Sequence, residues 1–171
     1  MANHTHEIND LLRGRWSPRN FDATHDIARE DIDLMLEAAR WAPSAMNRQP
    51  WKFIVGLRDE TRERIDKHVR GYSDWALDAS ALIVNCYQKN PDSALDFALY
   101  DLGGAVAHMS VEAEDIGAKL RQFATFDRDG LANEFGLGDE WIPVTICAVG
   151  TPGEMASSFG RERKPASELT F

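Results

Sequence analysis

The chain has 171 residues, 43% hydrophobic and 27% charged, with a formal net charge of -9. That length can bury one sizeable core, so residues 1–171 read as a single domain. The negative balance excludes a broad nucleic-acid surface, which needs a positive field, and no apolar run approaches the roughly 18 to 20 residues of a membrane span.

Residues 1–7 are polar and predict a flexible N-terminus without a secretory signal, which places the chain in the cytoplasm. From Arg29 to Ala42 the apolar residues Ile32, Met35, Leu36, Ala39 and Ala42 recur at helical spacing, with Glu30 and Asp31 in the first turn, where the helix dipole favours acids. Pro43 ends that helix, and Trp51 to Gly56 alternates as a strand. Ala81 to Tyr87 and Trp141 to Val149 are continuous apolar runs, which predict strands covered on both faces by helices. The longest periodic segment, about Ala94 to Gly117, places Leu95, Leu99, Leu102, Val106, Met109, Ala113 and Ile116 on one stripe.

Gly103 and Gly104 fall inside that long helix, where each costs about 1 kcal/mol relative to alanine. Close approach of a second helix or of a partner subunit explains them; a local kink is the alternative. Lys119 to Ala124 predicts a short strand and Asp127 to Phe135 a helix, while residues 151–171 form an extended tail with little periodicity. Cys86 and Cys147 lie in apolar runs without C-x-x-C spacing and read as buried thiols. His4, His6, His25, His68 and His108 are scattered, so no metal site is expected.

Two loops carry the chemistry. In Arg15-Trp16-Ser17-Pro18-Arg19-Asn20-Phe21, two guanidinium groups and a hydroxyl flank a proline, a set that can be aimed at one anion. In Ala42-Pro43-Ser44-Ala45-Met46-Asn47-Arg48-Gln49-Pro50-Trp51, polar groups crowd a helix end just before a strand. Loops of this composition, each joined to an apolar element, suit a flat anionic ligand. The alternative for each, taken alone, is a solvated surface loop.

Together the two segments resemble the FMN-dependent nitroreductase family, whose R-x-S-x-R-x-F and P-S-x-x-N-x-Q-P-W patterns occur in this order. The resemblance implies that Arg15 meets the FMN phosphate, that Arg19 lies beside the flavin pyrimidine, that Ser17 donates to the cofactor and that Trp16 contributes a backbone or packing contact. It implies that Pro43, Ser44, Ala45 and Asn47 reach the FMN of the opposite subunit. Phe126 to Gly136 resembles the family helix that follows the flavin-edge loop, so Gln122, Phe123, Ala124 and Thr125 take the place whose backbone amides meet flavin N5 and O4. Arg161 and Arg163 in the tail fall where two basic residues reach back to the phosphate. The stretch Tyr72-Ser73-Asp74-Trp75 departs from the family's asparagine and lysine near the pyrimidine.

The fold implied is α+β, a three-layer α/β/α sandwich whose central, mainly antiparallel sheet is flanked by helices, in an intertwined homodimer onto which the tail docks. The function implied is an FMN-dependent NAD(P)H oxidoreductase, nitroreductase-like, passing hydride from NADH or NADPH through flavin N5 to a nitroaromatic, quinone or similar small-molecule acceptor. A same-fold flavoenzyme with another reaction, such as dehalogenation or oxygen-dependent oxidation, and a flavin-binding protein without turnover are the alternatives.

Overall fold

The computed structural model describes residues 7–89, 97–154 and 161–171. The expected helix start at 94–96, most of the connector before it, the first six residues and residues 155–160 of the tail lie outside the described residues. In chain order the elements are α1 (Asp10–Gly14), α2 (Arg29–Arg40), β1 (Trp51–Gly56), α3 (Glu60–Val69), β2 (Ala81–Gln88), α4 (Phe97–Asp115), β3 (Lys119–Phe123), α5 (Arg128–Glu134) and β4 (Trp141–Gly150). Short 3-10 turns at Ala45–Asn47, Asp74–Asp78 and Ala166–Glu168 complete them.

The four strands form one sheet in the order β1-β2-β4-β3, and every neighbouring pair is antiparallel. Because side chains alternate across a strand, the apolar run of β2 feeds two cores at once. Ala81 and Ile83 pack with Cys147 and Val149 of β4 beneath α4, which also carries Leu102, Ala105, Val106 and Met109 into this core. Ile32, Met35 and Ala39 of α2 join them. Leu82, Val84 and Cys86 face the other way, with Ile146 and Ala148, against Ile65 and Val69 of α3 and Leu131 of α5. The result is helices on both faces of a sheet, an α+β arrangement that an antiparallel sheet adopts when neither face is left wet.

Between Asn85 and Cys86 the register with β4 shifts, so that Asn85 lies opposite Thr145 and Cys86 opposite Pro143. Pro143 cannot donate to a ladder. It is tolerated because β3 pairs only with residues 146–150 of β4, leaving the proline on a stretch with strand neighbours on one side.

Helix α3 is held by two polar devices. The carboxylate of Asp59 accepts from Arg62 N at 2.8 Å, capping the first turn. Arg62, buried in the layer beside Ile65 and Val69, donates to Asp66 at 2.7 Å and to the carbonyls of Ala79 and Leu77 at 2.8 Å each. A buried guanidinium is tolerated when charge and hydrogen bonds are both met in this way.

Helix α4 runs unbroken through Gly103 and Gly104, so a kink does not explain the glycines. Among the described residues close packing does not explain them either: outside the helix's own backbone, a Cβ at either position would meet none of their atoms within 4 Å. Gly103 is exposed, and so are Leu99, Tyr100, Ala107 and His108 of the same helix.

Two consequences can be measured. A Cβ at Gly56 would lie 2.7 Å from Arg62 Cα, so Gly56→Ala must push β1 from α3; it should cost about 1–3 kcal/mol in urea unfolding. Burial pushes the thiols of Cys86 and Cys147 up to about 12. Both therefore stay protonated at ordinary pH, and a disulfide reagent at pH 8 should label neither thiol in native protein and both after unfolding.

Candidate cofactor site

The segment 15–21 leaves α1 and is stitched down at its far end to the chain that follows β4. Asp22 N donates to Thr151 O at 2.9 Å, Gly153 N donates to Asn20 O at 3.2 Å, and Phe21 bridges Pro152. A Cβ at Gly153 would lie 3.0 Å from Phe21 O, so glycine lets the two strands of chain meet. Phe21 and Pro18 are buried, whereas Ser17 and Arg19 are exposed and Arg15 and Trp16 half-buried. The apolar members anchor the loop and the polar ones remain on its surface. The buried Asn20 Oδ1 has no hydrogen-bond partner among the described residues.

Arg161 of the tail donates to Gly14 O at 3.3 Å, which brings it to the start of the same loop. Arg163 is exposed and donates to the carbonyl of its neighbour Glu162 at 2.9 Å. On the other side, Arg121 of β3 donates to Pro18 O and Arg19 O at 3.3 and 3.2 Å, so β3 and the residues after it adjoin the loop. Gln122, Ala124 and Thr125 are exposed there, and Phe123 is half-buried. Ser73 Oγ donates to Thr125 O at 2.9 Å, fixing the turn that leads into α5, and Asp127 caps that helix by accepting from Gly130 N at 3.0 Å. Residues 15–19, 121–125 and 161 thus form one cationic neighbourhood in an acidic protein.

The Pro43–Asn47 loop is elsewhere. Ala45 N donates to the carboxylate of Asp101, a buried acid on α4, at 3.0 Å. Ser44 Oγ accepts from Gln49 N at 3.0 Å, and the Gln49 side chain donates to Asn47 O and Asn47 Oδ1 at 3.1 and 3.2 Å. These bonds hold three non-glycine residues at positive φ, Met46 at 54°, Asn47 at 55° and Gln49 at 51°. Left-handed backbone of this kind costs of order 1–3 kcal/mol per residue and is concentrated at functional loops.

Helix α4 measures the distance between the two loops. The 43–49 loop docks at Asp101, whereas a Cβ on Gly14, where α1 meets the 15–21 loop, would lie 3.0 Å from the carboxylate of Glu114. Thirteen residues at 1.5 Å each separate those anchors, or ~20 Å. Within one chain the anchors of the two motifs are therefore well separated along this helix. The structure gathers Arg15, Trp16, Ser17, Arg19, Gln122, Phe123, Ala124, Thr125 and Arg161 at one end, and sets Pro43, Ser44, Ala45 and Asn47 at the other.

Three residues here were not singled out by sequence reasoning. Arg121 sits in a strand where nothing but its charge distinguishes it. Asp101 occurs in a helix whose other buried residues are apolar or small. Trp75 lies in the stretch that departs from the family pattern, and it packs between Phe21 (centroids 6.4 Å apart, stacked) and Phe123 (5.2 Å, edge-on). Among the described residues no cluster of histidine, cysteine and carboxylate side chains is grouped to hold a metal ion, and no helix is long and apolar enough to cross a membrane.

Comparison with known proteins agrees with this architecture. Residues 12–73, which contain both loops, match the model of the Nitroreductase family. YdgI of Bacillus subtilis (strain 168), named provisionally as an NAD(P)H nitroreductase, is 29% identical over 164 residues, covering 92% of this chain and 78% of that protein. The crystal structure of a nitroreductase family protein from Clostridium difficile 630 superposes with a TM-score of 0.81 at 26% identity, over 96% of this chain and 97% of that one. A structure from Exiguobacterium sibiricum 255-15, described as a nitroreductase in complex with FMN, shares the fold with a TM-score of 0.83 at 22% identity, over 95% of each chain. With both loop motifs inside the matched segment, relatives aligned along almost the whole length and the same fold throughout, the chain is similar to nitroreductase family proteins.

Proposed function

We propose that the protein is an FMN-dependent NAD(P)H oxidoreductase working as a homodimer, with each cofactor site built from the 15–21 loop of one subunit and the 43–49 loop of the other. The observation that carries the two-subunit reading is the ~20 Å between the anchors of those loops along α4. The exposed stripe of Leu99, Tyr100, Gly103 and Ala107 gives α4 a face on which a second α4 can cross closely. An antiparallel crossing about a two-fold axis carries the Asp101 end of one helix toward the Glu114 end of the other, which joins the separated half-sites twice.

The residues present fit FMN. Arg15 directly follows α1 and Arg161 donates to Gly14 O at that helix end, where guanidinium groups and a loop hydroxyl, Ser17, can take a phosphate by charge-assisted hydrogen bonds. Arg19 lies further along, beside the turn 122–125, where a fixed cation favours the extra negative charge of a reduced ring. The backbone of Gln122, Phe123, Ala124 and Thr125, braced by Ser73, would supply amide donors at the ring's reacting edge. Arg163 is assigned to the phosphate end with Arg161, and Trp16 to packing against the cofactor. Pro43, Ser44, Ala45 and Asn47 of the partner would close the site on a loop whose conformation is already set. When bound, FMN supplies hydride transfer, accepting from NADH or NADPH and giving to an acceptor. The chain's own work is to hold the phosphate, orient the ring and fix the potential. Neither thiol can act as a nucleophile or redox partner, because burial keeps both protonated. A flat, electron-poor acceptor such as a nitroarene or quinone suits a site whose donor and acceptor stack in turn on one ring face.

Purified protein should carry a flavin spectrum, or gain one on adding FMN, and should oxidise NADH or NADPH when a nitroarene or quinone is supplied; protein that takes up no flavin would refute the proposal. Arg15→Gln should weaken FMN by tenfold or more, about the worth of a charge-assisted bond, and riboflavin far less, because only FMN has the phosphate. Competitive flavin titration checks both. Gly103 is exposed and a Cβ there meets no described residue within 4 Å, so Gly103→Leu should leave the monomer folded by circular dichroism. Light scattering should nevertheless show loss of the dimer, with FMN affinity falling alongside.

A further inference from the structure

The loop 15–21 adjoins more positive charge than its own arginines supply. The guanidinium carbon of Arg121 lies 3.8 Å from the centroid of the Trp75 ring, close enough for stacking and a cation–π attraction. Nη1 spends its hydrogens on the carbonyls of Pro18 and Arg19. Trp75 is itself fixed between Phe21 and Phe123. The described partners of Arg121 are therefore two carbonyl oxygens and an indole, and none is a carboxylate. Loss of hydration, then repulsion from Arg19, holds its pKa below the usual arginine value. A partly dried guanidinium with no carboxylate among its described partners is an arrangement that an anion beside it would stabilise.

The kind of anion follows from the surroundings. Arg121 meets the loop at Pro18 and Arg19, next to residues 122–125, whereas Arg161 marks the other end at Gly14. Trp75, Phe21 and Phe123 make its neighbourhood aromatic, poor at hydrating a phosphate and compatible with a flat ring over which charge is spread. A guanidinium with one face on an indole keeps its Nε and Nη2 hydrogens for in-plane bonds, the geometry that reads a planar edge carrying oxygen and nitrogen acceptors.

We propose that Arg121, held on the Trp75 indole beside Arg19, is a cofactor-binding residue that engages the negatively charged edge of the reduced flavin ring and so favours the reduced state. This rests on the flavin reading given above. No acid–base step is assigned to Arg121; its charge is permanent and its position is set by Trp75 and the loop carbonyls.

The test is the ratio of dissociation constants for oxidised and reduced FMN, titrated anaerobically, together with riboflavin affinity. Wild-type protein should bind the reduced ring more tightly. Arg121→Gln should lower that preference by about tenfold, the worth of one hydrogen bond to a charged group, for FMN and riboflavin alike. Arg121→Lys keeps the charge and should hold the preference within about threefold. An Arg121→Gln protein with the wild-type ratio would overturn the inference, as would one weakened for FMN alone, which would put Arg121 at the phosphate. If the glutamine variant does not accumulate, Arg121→Lys carries the test, since a lysine protein that binds FMN but loses the preference removes charge as the cause. Wild-type protein that takes up neither flavin would sink the functional reading itself, an outcome distinct from an unchanged ratio.

Discussion

Helix α4 is a rigid spacer, and its length governs everything the site can do. At its Asp101 end it grips the 43–49 loop through a buried carboxylate; at its Glu114 end it backs the residues that open the 15–21 loop. The helix is continuous through two glycines, buried on one side against the sheet and α2, and exposed on the other with small residues along the stripe. A rod of this kind separates the two loops proposed to bind the cofactor in one chain as firmly as it could join them between two. The composite site of the proposed dimer is thus a consequence of helix geometry before it is a matter of interface chemistry.

The sheet has a complementary task. Its edge strand β3 is not left bare: the first loop folds over it, pinned by Arg121 and by pairing with the chain beyond β4. That edge carries both the 122–125 turn and the cationic loop, so the elements proposed to touch opposite ends of the cofactor are tied to the same strand. The Asp127 cap and the Ser73 bond transmit the same rigidity from α5 and from the 3-10 turn before β2.

Much of this was legible in the residues. The covered strands β2 and β4 are marked by apolar runs rich in β-formers, α2 by its period and the proline after it, and the two loops by their motif spacing. What escaped notice did so for physical reasons. Helix α3 fills three core positions, but one of them is Arg62, and a charged residue that is buried and satisfied breaks the apolar pattern by which helices are recognised. Helix α1 buries nothing and offers no period to read. Arg121 and Asp101 matter because of what lies across the fold from them, at Pro18, Trp75 and Ala45, and a linear sequence does not display those pairings. The glycines of α4 stand out in the sequence, and no described residue packs against a Cβ placed at either of them.

The left-handed residues Met46, Asn47 and Gln49 make the 43–49 loop a set spring. Asparagine tolerates that conformation, but methionine and glutamine adopt it at a cost, so the loop keeps its shape only while Ser44 and Asp101 hold it from outside. A segment formed in advance surrenders little disorder when it meets its partner, and recognition becomes fast and selective at the expense of tolerance. Glycines at those three positions would make a more relaxed protein and a slacker grip, which is why ease of folding and quality of binding pull this short loop in opposite directions.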